Sequence, residues 1–312
     1  MTTNQQAQPA SEGGKAPDRS RAAEARDGAR RELLAGIPVE ERSVDAADIP
    51  TTVLEGGDGA PIVLLHGPGE SAVNWRWVMP QLIRTHRVVA PDLPAHGATG
   101  APEGPLDADR VLAWLGDLIA RTCASAPALV GHVLGGAIAA RFAARRGREL
   151  DRLVLVDSLG LARFRPSLRF AAGFIGFQAR PSEQTYTRFM RQCAFDLDAL
   201  RDEMGADWEA FVAYNLEQAR GPNSKAAGRL FRALGLPRIP PEELERIAIP
   251  TALIWGRHDR ALRLGIAEQA SARYGWPLRV IEGSADDPAR DQPEAFLDAL
   301  HVALGRTVGE RR

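Results

Sequence analysis

The stretch GHVLGG (131–136) joins a short aliphatic run to a helical pattern. The run PALVGH (127–132) is almost continuously apolar, which is typical of a parallel strand buried on both faces. The segment GGAIAARFAARRG (135–147) that follows is rich in helix formers. Glycines on either side of the junction allow a sharp turn and a close approach of two backbones. The stretch therefore predicts a strand, a tight turn centred on Val133, and a helix.

Seven other short runs carry a strand pattern, and helical patterns such as DADRVLAWLGDLIART (107–122) lie between the later ones. The runs are ERSVDA (41–46), TTVLEG (51–56), PIVLLHG (61–67), HRVVAPD (86–92), DRLVLVD (151–157), PTALIWG (250–256) and PLRVIEG (277–283). The first two are interpreted as an opening hairpin and the others as parallel strands. Alternation of strands and helices is typical of the α/β class. The sequence predicts a mostly parallel, eight-stranded, doubly wound sheet.

The strand rhythm stops between residues 161 and 240, where helix formers dominate. We expect a helical cap (161–240) inserted into a core formed by residues 37–160 and 241–306. The cap is rich in aromatic residues, most of which we expect to form its own hydrophobic core while the rest line a pocket. These residues are Phe164, Phe170, Phe174, Phe177, Tyr186, Phe189, Phe195, Trp208, Phe211, Tyr214 and Phe231.

Residues 1–36 precede this core and are predicted to form a disordered or helical tail. Residues 1 to 18 are rich in Gln, Pro, Gly and Ser, which favours disorder. Ala, Arg and Glu dominate residues 19–36, which favours a surface helix. We expect the mixed charges of that helix to face solvent.

The charge balance excludes several classes of partner. The 312 residues include 39 basic and 40 acidic side chains, so the chain lacks the positive excess that binds nucleic acid. It has neither an apolar run that could span a membrane nor the apolar core of a secretory signal. Its two cysteines, Cys123 and Cys193, fit a reducing compartment. We expect a cytoplasmic protein with no nucleic-acid or membrane partner and no cofactor.

Five short motifs occur in an order that is found in a large enzyme superfamily. They are HGPG (66–69), DLPAHG (92–97), GHVLGG (131–136), GRHD (256–259) and QPE (292–294). The chain resembles the α/β-hydrolase fold superfamily of the capped type, which includes meta-cleavage-product hydrolases, epoxide hydrolases and small esterases. The resemblance covers about residues 61–300 and implies an α/β-hydrolase core with a helical cap.

The resemblance also assigns catalytic positions, and two of them depart from the family pattern. The middle residue of G-x-S-x-G is the serine nucleophile, but here it is Val133, whose isopropyl group is inert. The catalytic acid corresponds to Asp259, which would orient a histidine. Asp286 stands where that histidine is expected. The resemblance therefore implies a degenerate catalytic triad, as in a pseudoenzyme.

A third departure concerns the oxyanion hole that the resemblance implies. The backbone N–H of Leu134 can supply one donor, but the second would come from Pro68, which has no N–H. Loss of one such donor typically costs roughly 10²–10³ in rate. Val133 would occupy a strained turn that either relaxes or is held by packing, and it would make the pocket more apolar. We expect a ligand to contact Gly67, Pro68, His132, Val133 and Leu134.

The aspartates at the triad positions suggest a hypothesis about proton sharing. If Asp259 and Asp286 lie within a few ångströms of each other, their repulsion raises one pKa and the pair can share a proton. In the alternative, which we favour, Asp286 faces solvent or pairs with Arg290 or Arg257. A metal bound by Asp259, Asp286 and Asp287 is a further alternative, which no histidine cluster supports.

Other reactive side chains are interpreted as structural. Ser158 and Ser71 are expected to be polar loop residues rather than nucleophiles. His66 and His96 belong to loop motifs in which we expect structural hydrogen bonds.

Three functions remain open from the sequence. The first is the binding of a small apolar molecule between core and cap, without ordinary ester hydrolysis. The second is a hydrolase or lyase that uses aspartates and water. The third is a scaffold whose cap or N-terminal segment binds a protein partner.

Overall fold

A computed structural model describes residues 19–305 of the chain, with side chains from residue 24 onward. The predicted disorder of residues 1 to 18 lies outside the described residues. Eight strands form one sheet in the order β1-β2-β4-β3-β5-β6-β7-β8. The strands are β1 (Glu40–Ala46), β2 (Ile49–Gly56), β3 (Ala60–Leu65), β4 (His86–Pro91), β5 (Ala128–His132), β6 (Arg152–Val156), β7 (Thr251–Gly256) and β8 (Leu278–Ile281). Each of the eight predicted runs forms one of these strands.

Strand direction divides the sheet into two parts. β2 pairs antiparallel with both β1 and β4, while every pair from β4 to β8 is parallel. Helices lie on both faces because parallel neighbours need crossover connections. The predicted α/β class with a mostly parallel, doubly wound sheet is confirmed.

The apolar runs bury both faces of the central strands. The four residues 62–65 of β3 are fully buried and alternate between two hydrophobic clusters. Val63 and Leu65 pack in one cluster, and Ile62 and Leu64 pack in the other. This alternation explains why a doubly covered strand is continuously apolar in sequence.

Thirteen α-helices accompany the sheet within residues 19–305. Those outside residues 161–240 are α1 (Arg19–Leu33), α2 (Met79–Leu82), α3 (Ala108–Thr122), α4 (Leu134–Arg146), α10 (Pro241–Leu244), α11 (Gly265–Tyr274), α12 (Pro288–Asp291) and α13 (Pro293–Ala303). Short 3₁₀ turns occupy Ala72–Trp77 and Gly147–Glu149. The carboxylate of Asp107 caps α3 by accepting the N–H of Arg110 at 2.9 Å, as expected for an N-terminal cap.

Five helices lie within residues 161–240, between β6 and β7. They are α5 (Leu168–Ala179), α6 (Glu183–Cys193), α7 (Leu197–Met204), α8 (Asp207–Arg220) and α9 (Ser224–Leu230), and a π-helical turn follows at Phe231–Gly235. Polar side chains at Ser167, Ser182 and Asp196 cap the first three. These caps explain why this stretch divides into short helices.

Helix α1 is attached to the rest of the molecule by a buried arginine. Arg30 is 4% exposed and lies 2.6 Å from Glu41, 3.1 Å from Asp92 and 2.9 Å from the hydroxyl of Tyr214 in α8. Leu33 is buried beside it. The expectation that the charges of this helix face solvent is therefore wrong for Arg30, because its three partners lie on distant segments.

Within residues 19–305, no helix is long and apolar enough to cross a lipid bilayer.

Candidate functional site

The turn after β5 keeps a strained backbone although its central residue is β-branched. Val133 has φ 46° and ψ −99°, a conformation that valine rarely adopts. Its N–H donates to Val156 O at 3.0 Å, and its carbonyl accepts the N–H of Leu159 at 3.1 Å. Strain of this kind costs about 1–3 kcal/mol and persists where the surroundings determine the conformation. Of the two alternatives for this turn, packing that holds the strain is the one observed.

Three glycines explain how packing holds the turn. A Cβ added at Gly131 would lie 2.4 Å from Gly135 O, and one added at Gly135 would lie 2.3 Å from Leu65 O. A Cβ at Gly136 would lie 2.4 Å from the hydroxyl oxygen of Ser158. All three distances are shorter than van der Waals contact allows. The start of α4 therefore approaches the backbone of β3 and β5, and the side chain of Ser158, more closely than a residue with a Cβ could.

Val133 lines a cavity between this turn and the helices of residues 161–240. The cavity has a free volume of about 170 Å³. Aromatic side chains of the inserted helices form much of its wall, namely Phe164, Phe170, Phe174, Phe177, Tyr186, Phe189, Phe211 and Phe231. These are eight of the eleven aromatic residues singled out from the sequence, so more of them line the cavity than we expected.

The predicted ligand contacts fall into two groups. Pro68, His132 and Val133 line the cavity. Leu134 and Gly67 do not line it. Leu134 is fully buried as the first residue of α4, and the N–H of Gly67 donates to Glu70 at 2.7 Å. The cavity therefore contacts side chains of three of the five predicted residues.

His132 forms a buried ion pair with Glu70. Its Nδ1 lies 3.3 Å from Glu70 Oε2, and its Nε2 lies 2.7 Å from the backbone carbonyl of Asp286. Both partners are acceptors, so both ring nitrogens carry hydrogen and the ring is an imidazolium. Burial opposes this charge, but Glu70 outweighs it and raises the pKa of His132 to about 10. Burial likewise opposes the carboxylate, but His132 lowers the pKa of Glu70 to about 2.

Glu70 was missed in the sequence. It follows the loop motif HGPG (66–69). Its position beside that motif was the only sequence feature that could have singled it out. Its partner lies 62 residues away, at the end of a different strand.

Asp286 lines the cavity and lies beside Arg290. Its Oδ1 lies 3.4 Å from a guanidinium nitrogen of Arg290, which is the alternative we favoured from the sequence. The other candidate, Arg257, instead pairs with Glu282 at 2.6 Å. Burial raises the pKa of Asp286 to about 8, although Arg290 opposes the shift. Asp286 is therefore largely protonated at neutral pH.

The carboxyl group of Asp259 interacts most directly with that of Asp157, and each shifts the pKa of the other. Asp259 Oδ1 accepts the N–H groups of Ala261 and Leu262 at 2.6 and 2.8 Å. Asp157 accepts the N–H of Gly256 at 3.1 Å. Burial raises the pKa of Asp157 well above its usual range, and the charge of Asp259 adds to the effect. The charge of Asp259 also contributes to the raised pKa of Asp286, as the hypothesis of proton sharing expected. The hypothesis overlooked Asp157, the aspartate that follows β6 and interacts with Asp259 more directly.

The remaining candidates have structural partners. Ser158 is buried and donates to Leu159 O at 2.9 Å, and Ser71 caps a 3₁₀ turn. His66 Nε2 accepts the N–H of Leu93 at 2.9 Å, as expected for a structural histidine. Across the part of the chain that the structure describes, no group of three His, Cys, Asp or Glu side chains could hold a metal ion.

Comparison with known proteins identifies related sequences over most of the chain. The model of the alpha/beta hydrolase family matches residues 62–299. An uncharacterized protein of Mycobacterium tuberculosis is 29% identical over 272 residues, which cover 80% of this chain and 77% of that protein. The 2-hydroxy-6-oxo-6-(2'-aminophenyl)hexa-2,4-dienoic acid hydrolase of Metapseudomonas resinovorans is 28% identical over 231 residues, 71% of this chain and 76% of its own.

Solved structures share the fold. A membrane phospholipase A, described as a bacterial virulence factor, has a TM-score of 0.75 at 24% identity and covers 92% of this chain and 91% of its own. The meta-cleavage product hydrolase of Pseudomonas fluorescens IP01 has a TM-score of 0.72 at 24% identity, over 85% of this chain and 97% of its own. At these identities the similarity concerns the fold alone.

Proposed function

The chain belongs to the alpha/beta hydrolase family, and from this premise we propose that it binds a small, mostly apolar molecule in the cavity beside Val133, without ordinary ester hydrolysis. One observation carries the proposal. The side chain that the strained turn directs at this position is an isopropyl group, which lines the cavity and has no atom that can attack a carbonyl carbon. A cavity thus lies beside this turn, while the side chain that the turn contributes to its wall is inert.

Two further features support the absence of ordinary ester hydrolysis. Asp286 holds the position of the expected histidine and lies beside Arg290, so the imidazole that activates a serine hydroxyl in the family is missing there. Pro68, which lines the same cavity, has no N–H for an oxyanion. These three departures affect the nucleophile, the base and the oxyanion hole separately.

The cavity suggests the size and character of the ligand. Apolar cavities of about 150 Å³ accommodate molecules of the size of benzene. The volume here, about 170 Å³, with its aromatic wall, suits a compact hydrophobic molecule.

The test combines turnover with restoration of the missing groups. Purified protein is assayed against short and medium acyl esters and vinylogous carbon–carbon bond substrates, beside Asp259→Ala and the double variant Val133→Ser/Asp286→His. We expect no turnover by the wild type and measurable turnover by the double variant. Turnover by the wild type that Asp259→Ala abolishes would overturn the proposal, because the protein would then be an enzyme that works without a serine.

A second candidate function is acid–base chemistry at Asp286. A carboxyl group whose pKa is raised to about 8 and that lines an apolar cavity can donate or accept a proton near neutral pH. This enzyme would act as a lyase, or as a hydrolase that activates water. A bell-shaped pH dependence of turnover that is lost in Asp286→Ala would favour it over simple binding.

We also propose a cytoplasmic location. Within the described residues, Cys123 and Cys193 are free thiols, which fits a reducing compartment. Fractionation of cells that produce the protein would test this.

A further inference from the structure

Four charged or protonated side chains line one end of the cavity, and they differ in what they offer a ligand. They are Glu70, His132, Asp286 and Arg290. Glu70 and Asp286 are 20% and 16% exposed, whereas His132 and Arg290 are 5% and 4% exposed. The carboxyl groups therefore face the cavity more than the two cations do.

The hydrogen-bond donors of the two cations already have acceptors within the protein. Both nitrogens of His132 donate, to Glu70 and to the carbonyl of Asp286. The guanidinium of Arg290 contacts Asp286 at 3.4 Å, Asp287 at 3.5 Å, and the carbonyl of Cys193 at 3.1 Å. A ligand that needs an anion receptor would have to break these contacts.

One carboxylate oxygen, in contrast, remains available. Oε2 of Glu70 accepts from Gly67 and His132. No donor among residues 24–305 is hydrogen-bonded to the other oxygen, Oε1. The carboxylate is ionised, because its pKa is lowered to about 2, so Oε1 can only accept.

His96, another residue that lines the cavity, carries a second acceptor without a partner. The ring of His96 is 3% exposed, and its Nδ1 lies 3.1 Å from Pro94 O, an acceptor, so Nδ1 carries the hydrogen. Nε2 is then a bare lone pair, buried and with no hydrogen-bond partner within the described part of the chain. Burial lowers the pKa of His96 to about 4, so the ring stays neutral. A buried acceptor without a donor is costly unless a ligand supplies the donor.

Acidic side chains outnumber basic ones around this end. Two cations, His132 and Arg290, lie among five acidic side chains, of which Asp286 is largely protonated and the others are Glu70, Asp259, Asp287 and Asp291. The amide of Asn74, which also lines the cavity, adds a neutral donor and no positive charge.

We propose that the ligand carries a protonated amine, which donates to Glu70 Oε1 and His96 Nε2, while its apolar body lies against the aromatic wall. The inference rests on the proposed function, since it concerns the same cavity. An ammonium group supplies hydrogen-bond donors for both acceptors and a positive charge beside the ionised Glu70.

Three probes that differ only in the head group test the inference. Isothermal titration at pH 7 compares 3-phenylpropylamine, 3-phenylpropan-1-ol and 3-phenylpropanoate with the wild type. We expect the amine to bind at least about tenfold more tightly than the alcohol, because a charged donor strengthens the hydrogen bond, and the carboxylate to bind most weakly. In Glu70→Gln the affinity for the amine should fall to that for the alcohol, while Glu183→Gln, an exposed residue on α6, should keep the preference.

The outcomes separate this inference from the proposed function. If the alcohol binds the wild type as tightly as the amine, the inference is wrong, but binding of an apolar molecule in the cavity is still supported. If the preference for the amine persists in Glu70→Gln, the assignment to Glu70 is wrong. If none of the three probes binds the wild type, the inference is wrong, and the turnover assay described above decides the proposed function separately. The ranking in the wild type needs no variant, so poor folding of Glu70→Gln leaves the test intact.

Discussion

The buried carboxyl groups of Asp157 and Asp259 interact directly, and each shifts the pKa of the other. Asp259 Oδ1 accepts two backbone N–H groups, and its buried Oδ2 meets no donor among the described residues. A proton on Asp157 would supply that donor. Because the pKa of Asp157 is raised well above its usual range, we infer that the pair holds one proton, on Asp157, with the negative charge on Asp259.

Replacing Asp157 by asparagine should stabilise the protein in a pH-dependent way. The pKa of Asp157 is raised in the folded state, so the stability it contributes is present below its unfolded pKa and is lost as the pH rises. Asparagine keeps an acceptor for Gly256 and a donor for Asp259 without titrating. We expect the free energy of unfolding of Asp157→Asn to exceed that of the wild type by about 1–3 kcal/mol at pH 8, and to match it near pH 4.

Urea denaturation at both pH values measures this difference. Asp202→Asn, an exposed residue on α7, serves as the control and should change stability little at either pH. An Asp157→Asn variant that is no more stable than the wild type at pH 8 would contradict the assignment of the proton.

The ion pair of His132 and Glu70 should make the protein less stable in alkali. The folded pKa of His132 is raised to about 10, so its contribution is full below about pH 6.5 and is lost as the pH rises through 10. His132→Asn leaves Glu70 buried without its partner, which should cost roughly 3–5 kcal/mol at pH 7. The difference in free energy of unfolding between wild type and variant should become smaller from pH 7 to pH 10.

Chemical denaturation across that range tests the claim, with His258→Asn as the exposed control. A gap that stays constant with pH would mean that His132 is neutral in the folded state.

Close backbone packing around the turn predicts a large effect from a single methyl group. Gly135→Ala places a Cβ 2.3 Å from the carbonyl oxygen of Leu65, so the strand and helix must separate. We expect a loss of about 3 kcal/mol or more, or failure to fold. Gly176→Ala, in α5 with open space around the added Cβ, should instead raise stability by roughly 0.5–1 kcal/mol. Thermal denaturation of the two variants compares them directly, and similar melting temperatures would contradict the packing argument.

Helix α1 should be a structural part of the fold. Arg30→Ala removes the partner of the fully buried Asp92 and of Tyr214, which should cost roughly 3–5 kcal/mol. Arg31→Ala, whose side chain is exposed, should cost less than about 0.5 kcal/mol. Urea midpoints of the two variants give the comparison, and an equal loss would show that the buried contacts of Arg30 add nothing to stability.

The fold could be predicted because its signals are local in sequence. Each strand is a short apolar run, and the glycines of GHVLGG (131–136) mark the turn in which two backbones meet. The pairing of Asp286 with Arg290 could also be predicted, since the two residues lie one helical turn apart.

The charge partners in the site could not be predicted in the same way. Glu70 meets His132 and Asp157 meets Asp259 because loops from different strands converge at the carboxyl edge of the sheet. The carboxyl ends of parallel strands meet at one edge of the sheet, so many polar residues are expected there. Which of them form pairs depends on side-chain geometry, which the sequence does not give. Arg30 was missed for a similar reason, because its partners lie on three distant segments.

The turn at position 133 keeps its strained shape although it carries a valine, a side chain that disfavours it. Close contacts at Gly131, Gly135 and Gly136 hold this backbone in place. Protein engineering can exploit this, because a cysteine, or a non-natural amino acid with a small reactive group, would be projected from this position into the aromatic cavity. Position 133 is therefore a site at which a reactive group foreign to the natural chain could be placed inside the fold.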